Sequence, residues 1–224
     1  PIAGNIELTI DQEWTFSTSD LTLDGAQVIL NINQDGGQIS AVQMDIPKAL
    51  NYVPLFEIPE EIKLSGLRAD WSWEGTWDQW VLNFDTKNTA LNYNGIAVPS
   101  LSCTGQWIWG AVPELSIPSL ALETNTGKIT GSLELKGDAP TLYTNLEGGS
   151  NLSELFDFVE TDLLVNPMGF WKGDNISLTQ GFRSWEDFTP VGNPIFKGDI
   201  SFFEGAFALA SSIFSQSILE QTLH

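Results

Sequence analysis

The chain alternates apolar and polar residues, with a period of two, from its start to about residue 147. Ile6, Leu8 and Ile10 share one face, with Glu7, Thr9 and Asp11 opposite. Val28, Leu30 and Ile32 form another run, and Val42, Met44 and Ile46 a third. Period two is the pattern of a strand with one buried and one solvated face. A recurring unit closes several runs: two alternating apolar residues, a polar residue, then glycine. It reads Leu21-Thr-Leu-Asp-Gly25, Ile62-Lys-Leu-Ser-Gly66 and Leu133-Glu-Leu-Lys-Gly137, with a looser copy at Ile176-Ser-Leu-Thr-Gln-Gly181. Glycine reaches backbone angles closed to other residues, so each unit predicts a strand running into a turn, bend or bulge.

Turn signals punctuate the alternation. Asp35-Gly36-Gly37 and Asn125-Thr-Gly127 predict turns, and Asn94-Gly95 between apolar runs predicts a two-residue hairpin. Pro47 breaks a strand, Lys48 to Val53 fits one helical turn, and Pro54 and Pro59 bracket an extended connection from Leu55 to Ile58. Gly148-Gly149-Ser150 is the candidate internal boundary of an otherwise single β-rich domain spanning 1–224. Beyond it, Asn151 and Glu154 match a capping box, and Leu152, Leu155, Phe156, Val159 and Leu163 recur at helical spacing. They predict a helix over about 152–165, ended by Asn166-Pro167. Phe203, Phe207, Ala210, Phe214 and Ile218 predict a second helix over about 203–223. The predicted fold is mainly β: a curved or folded antiparallel sheet of repeated amphipathic strands with two late helices.

Composition narrows the function classes. With 42% hydrophobic residues, the chain can bury a core. Its 29 acidic and 9 basic side chains give a formal net charge of -20, which repels nucleic acid and anionic lipid. The acidity reflects scarce Lys and Arg, since the longest acidic run is Glu60-Glu61. Cys103 is the only cysteine, so no intramolecular disulfide forms. Its place beside Leu101 predicts a buried small hydrophobe. No stretch is apolar enough to span a bilayer as a helix, and no signal peptide follows Pro1-Ile2. Membrane contact is therefore expected only through a segment outside this sequence.

Candidate chemistry is sparse. The only histidine is His224, which leaves no Ser-His-Asp or Cys-His arrangement and no multi-histidine zinc site. No P-loop, dinucleotide fingerprint or calcium-loop spacing occurs, so no cofactor or metal is expected. Asp70, Glu74 and Asp78 flank a tryptophan cluster, as a glycosidase subsite would. However, Asp70, Ser72 and Glu74 alternate with Trp71 and Trp73, so on a strand the acids and indoles point to opposite faces. That favours a solvated acidic face over a catalytic cleft, and the chain is expected not to be an enzyme.

Nine tryptophans remain to be placed. Two Trp-x-Trp pairs, Trp71/Trp73 and Trp107/Trp109, each put two indoles on one strand face. They form either an exposed aromatic platform or a bulky core layer. Burying an indole stabilises by about 2–3 kcal/mol, which favours the core layer.

The stretch from Ile46 to Gly137 carries a family resemblance. It contains Ile46-Pro-Lys-Ala-Leu, Phe56-Glu-Ile-Pro-Glu-Glu-Ile-Lys-Leu-Ser-Gly66, Ser102-Cys-Thr-Gly-Gln-Trp-Ile-Trp-Gly-Ala111, Ile117-Pro-Ser-Leu-Ala-Leu122 and Gly131-Ser-Leu-Glu-Leu-Lys-Gly137. This order resembles the periplasmic region of the type II secretion system N subunit. That family is similar in turn to AsmA-like and TamB-like envelope proteins, whose repetitive amphipathic strands fold into a groove. The helical segment at 152–165 and the phenylalanine-rich tail depart from the family pattern.

With the alternation, the resemblance implies a non-enzymatic cell-envelope module, periplasmic or extracellular. It would serve as scaffold or apolar-groove component of a secretion or lipid-handling assembly. Its partners would be other envelope or secretion proteins and lipid acyl chains, with no nucleic acid. The expected groove residues are Trp71, Trp73, Trp107, Trp109, Leu133 and Leu135, with Phe203, Phe207 and Phe214 as a lid. The alternative is an extracellular carbohydrate-binding β-sandwich using exposed tryptophans.

Overall fold

The computed structural model describes residues 2–10, 13–50, 64–93, 96–154 and 164–209. These residues form fourteen strands of one antiparallel sheet. In chain order they are β1 (Ile2–Ala3), β2 (Ile6–Ile10), β3 (Trp14–Leu23), β4 (Ala26–Asn33) and β5 (Gly36–Asp45), then helix α1 (Ile46–Leu50). After it come β6 (Leu64–Ser65), β7 (Arg68–Thr76), β8 (Trp80–Tyr93), β9 (Ile96–Trp109) and β10 (Glu114–Glu123). The last four are β11 (Lys128–Lys136), β12 (Thr141–Asn151), β13 (Leu164–Phe182) and β14 (Pro190–Leu209).

The topology is a meander. Twelve strands lie side by side in the order β1-β3-β4-β5-β7-β8-β9-β10-β11-β12-β13-β14. The two others share an edge with a neighbour: β2 pairs with β3 beside β1, and β6 pairs with β8 beside β7. The path ends at β14 without returning to β1, so the sheet is open. At about 4.8 Å between strands, twelve positions span roughly 50 Å before curvature.

Local chemistry explains the hairpins. Asp24 and Gly25 both take positive φ, 50° and 86°, and join the paired residues Leu23 and Ala26. Two central residues with positive φ match the right-handed twist of the flanking strands. Tyr93 and Ile96 pair directly, as a two-residue hairpin requires, although Asn94 and Gly95 lie outside the described residues. Bulges interrupt several ladders, including β3/β4, β5/β7, β8/β9 and β9/β10. Each bulge adds a residue on one strand only, which bends the sheet and sharpens its twist. Two bulges are pinned by hydrogen bonds: Gln43 N–H donates to Asp70 Oδ1 (2.8 Å), and Asn88 N–H to Ser102 Oγ (2.9 Å).

The mainly β, antiparallel prediction holds, and the described residues at the end of the first predicted late helix and at the start of the second are strand. Only 152–154 forms a helical turn among the described residues, while 155–163 lie outside them. Leu164 and Val165, placed at the end of the predicted helix, instead open β13 and pair with Leu209 and Ala208. Phe203–Leu209, expected as the start of the tail helix, belong to β14; residues 210–224 lie outside the described residues. The physical reason is tertiary. The 19-residue β13 offers a long row of backbone partners, and Gly205 within the stretch weakens a competing helix.

Two further expectations concern glycines. Gly148 and Gly149 lie inside β12 and are paired on both sides, and Ser150, also in β12, pairs with Trp171. A Cβ on Gly148 would sit 2.1 Å from the Lys128 carbonyl oxygen, and one on Gly149 2.1 Å from that of Trp171. These glycines allow close strand approach. Gly181 likewise pairs within β13 rather than ending a strand. The short helix α1 begins at Ile46, two residues before the expected turn, and the predicted connection at 55–58 lies outside the described residues.

Candidate functional site

Register turns the alternation of single strands into a continuous surface. One row of directly paired residues runs Leu30, Ile39, Trp73, Leu82, Trp107, Leu115, Leu135, Leu142, crossing eight strands from β4 to β12. A second row runs Val28, Ala41, Trp71, Phe84, Gly105. Directly opposed residues share a face, so both rows belong to one apolar face. Trp109 joins it opposite Trp80, and Leu133 opposite Ile117. The six expected groove residues therefore lie on a single face, brought together from β7, β9 and β11.

The opposite face is polar along the same strands. Ser40, Ser72, Asn83, Gln106, Ser116 and Glu134 form a matching row, in which Gln106 Nε2–H donates to Asn83 Oδ1 (2.9 Å). Asp70 and Glu74 point to this face, away from Trp71 and Trp73, as their alternation requires.

Packing on the apolar face is lateral. Ala26, Val28, Ala41 and Met44 are buried, with Leu21, Leu23, Ile39 and Trp71 packed against them. Leu152, from the helical turn, is 2% exposed and closes a second cluster with Trp171 and Ile176. Leu135 is also buried, whereas Trp71, Trp73, Trp107 and Trp109 are half-buried. Neither the pure platform nor the pure core layer describes them. Trp71 packs beside Met44, Trp73 on Trp77 and Trp107 on Trp109, and no second sheet covers them among the described residues. The Phe84 ring lies on Gly105, where an added Cβ would come within 2.3 Å of ring carbon Cζ.

Polar groups on this face are satisfied within it. Trp171 Nε1–H donates to buried Ser150 Oγ at 3.0 Å, and Trp71 Nε1–H points to Met44 Sδ at 3.2 Å. Buried Thr18, Thr86 and Gln180 also make hydrogen bonds. Trp107 Nε1–H is the exception: it is buried without a partner among the described residues. Cys103 faces Thr86 and Leu120 on this side, and burial followed by the nearby Asp85 charge pushes its thiol pKa up.

One end of the sheet is aromatic. Trp80 stacks on Trp109 (centroids 6.1 Å) and meets Trp107 edge-on (5.4 Å). The β13–β14 loop folds back to this cluster: Trp185 meets Trp109 edge-on at 6.4 Å, and its Nε1–H donates to the Gly137 carbonyl at 2.9 Å. Phe188 packs on both Trp185 and Phe182. Alternation within single strands carries no signal for this contact, because four strand positions separate β9 from β13.

Two of the three expected lid residues lie on β14. Phe203 is exposed on β14 opposite Phe170, on the side away from the apolar rows. Phe207 lies on β14, and Phe214 lies outside the described residues. No group of three or more potential metal ligands occurs among the described residues, and no described helix is long and apolar enough to cross a membrane. No family model, curated protein or solved structure matches the chain.

Proposed function

We propose that this chain is a non-enzymatic module of the cell envelope, periplasmic or extracellular, that works through its apolar face in a secretion or lipid-handling assembly. The observation that carries the reading is the apolar row from Leu30 to Leu142, half-buried except at Leu135 and with no second sheet over it among the described residues. A soluble domain normally covers such a sheet face with a second layer. A face left with only lateral packing suits linear apolar guests, above all acyl chains, which lie along a furrow and need no polar recognition. Open sheet edges add a second means of engaging envelope or secretion partners, by pairing with an added strand.

Native mass spectrometry after gentle purification tests this proposal, paired with quenching by brominated acyl chains. Co-purified lipid, and quenching that falls in Trp71→Phe and Trp107→Phe variants, are the expected results. A protein free of lipid, with no partner-dependent mass shift and no quenching, refutes the proposal. The carbohydrate-binding reading draws on exposed Trp77, which leans against Trp73 at 5.6 Å between centroids. Glycan binding lost in Trp73→Ala would favour it. The half-buried state of the two Trp-x-Trp pairs weighs against a flat sugar platform.

A further inference from the structure

The two ends of the sheet differ in chemistry. The β2–β3, β4–β5, β7–β8, β9–β10, β11–β12 and β13–β14 connections form one rim. Exposed large apolar groups recur along it: Ile10, Trp14, Trp77, Val112, Phe188 and Val191. Five of its six connections also carry an exposed carboxylate: Glu13, Asp35, Asp78, Asp138 and Glu186. No ion pair among the described residues engages these five. The two cations at this rim are already paired, Lys136 with Glu134 and Arg183 with Asp187, each at 2.6 Å. At the opposite rim the described residues mix signs, with Lys48 on Asp45 and Lys128 on Glu123.

The rim is also built as a fixed surface. Trp77 ties its turn to the preceding one, donating from Nε1 to the Gln34 carbonyl (2.9 Å) and from its backbone N–H to that of Asp35 (3.2 Å). Trp185 does the same for the β11–β12 turn through Gly137. Asp187 organises the last loop by accepting from Thr189 and Arg183. A surface held in place before binding loses little conformational entropy on association.

From these observations we propose that the aromatic rim docks an arginine-rich segment of a partner protein. Guanidinium groups stack on indole faces and bind carboxylates through paired donors, which is the combination this rim presents. Tryptophan and arginine are also the residues that dominate protein–protein hot spots. The exposed acids disfavour a bilayer as occupant, because each would have to enter the headgroup layer beside its aromatic neighbour. The inference rests on the rim alone and is independent of what occupies the apolar face.

The test compares oligoarginine and oligolysine peptides of equal length, by fluorescence titration of the full chain. Simple attraction to a net charge of -20 binds both alike. Docking at the rim favours oligoarginine by about fivefold or more, from stacking on indole. Trp77→Ala and Phe188→Ala should reduce that preference. Asp78→Asn and Glu186→Gln should weaken both peptides, oligoarginine the more, because only guanidinium pairs a carboxylate through two donors. Circular dichroism of each variant separates lost binding from lost fold. Equal binding of the two peptides overturns the proposal, as does a preference unchanged in well-folded Trp77→Ala and Phe188→Ala. Flotation with phosphatidylcholine vesicles, with a blue shift lost in Trp77→Ala, overturns it in favour of a bilayer.

Discussion

Phe84 and Gly105 give the sharpest test of how the apolar face is packed. They are directly paired on β8 and β9. An alanine Cβ at 105 would meet Phe84 Cζ at 2.3 Å, Cε2 at 2.6 Å and the Ser116 carbonyl oxygen at 2.9 Å. Overpacking of this kind costs about 1–3 kcal/mol. Replacing glycine also restricts the unfolded chain, which returns about 0.4–1 kcal/mol. Gly105→Ala should therefore destabilise by about 1–2 kcal/mol, lowering Tm by roughly 2–8 °C for a chain of this size. Phe84→Ala, at a half-buried ring, should cost about 2 kcal/mol, below the 3–5 kcal/mol of a fully buried one.

The informative quantity is the coupling between these two substitutions. Without the ring, the Ser116 oxygen still meets the new methyl at 2.9 Å, so Gly105→Ala should remain destabilising in the Phe84→Ala background but by less than in the parent. The double mutant should then be more stable than additivity predicts by about 1 kcal/mol. Urea denaturation of the four proteins measures it. Additivity within about 0.5 kcal/mol would show that the ring does not rest on Gly105, and lateral packing of the face would lose its support.

Other consequences are open to measurement. Trp171→Phe removes the indole donor to buried Ser150, and should cost about 1–3 kcal/mol in urea denaturation. A change below about 0.5 kcal/mol would mean that Ser150 is satisfied without it. For Glu154, burial alone would raise the carboxyl pKa, but hydrogen bonds from Thr124, Thr126 and the Asn125 and Thr126 backbone together hold it below the usual value. A depressed folded pKa stabilises above the unfolded pKa, and that contribution disappears as pH falls through the folded value. Tm should therefore decline through the acidic carboxylate range less steeply in Glu154→Gln than in the parent. Cys103, with its thiol pKa pushed up by burial, should react with a disulfide reagent at pH 8 at least tenfold more slowly than in urea. Equal rates would place the thiol in solvent.

The division between sequence and tertiary structure follows from the range of the forces involved. Alternation of Trp71 and Trp73 with Asp70, Ser72 and Glu74 determined which groups share a face, because that depends only on the pleat of a single strand. Asp24-Gly25 determined its own turn, because its two positive φ values are a local requirement. The mainly β class and the six apolar-face residues were legible for the same reason. Register was not, since it depends on pairs far apart in the chain, such as Ile39 with Trp73 and Leu115 with Leu135. The start of the predicted tail helix gave way where a local 3.6-residue period met a longer-range opportunity. Phe203–Leu209 found unpaired backbone on β13, and ladder hydrogen bonds outweighed a helix containing Gly205. Only the tertiary structure could carry Trp185 to Trp109, across four strand positions, and so make an aromatic, acidic rim from residues that are scattered in sequence.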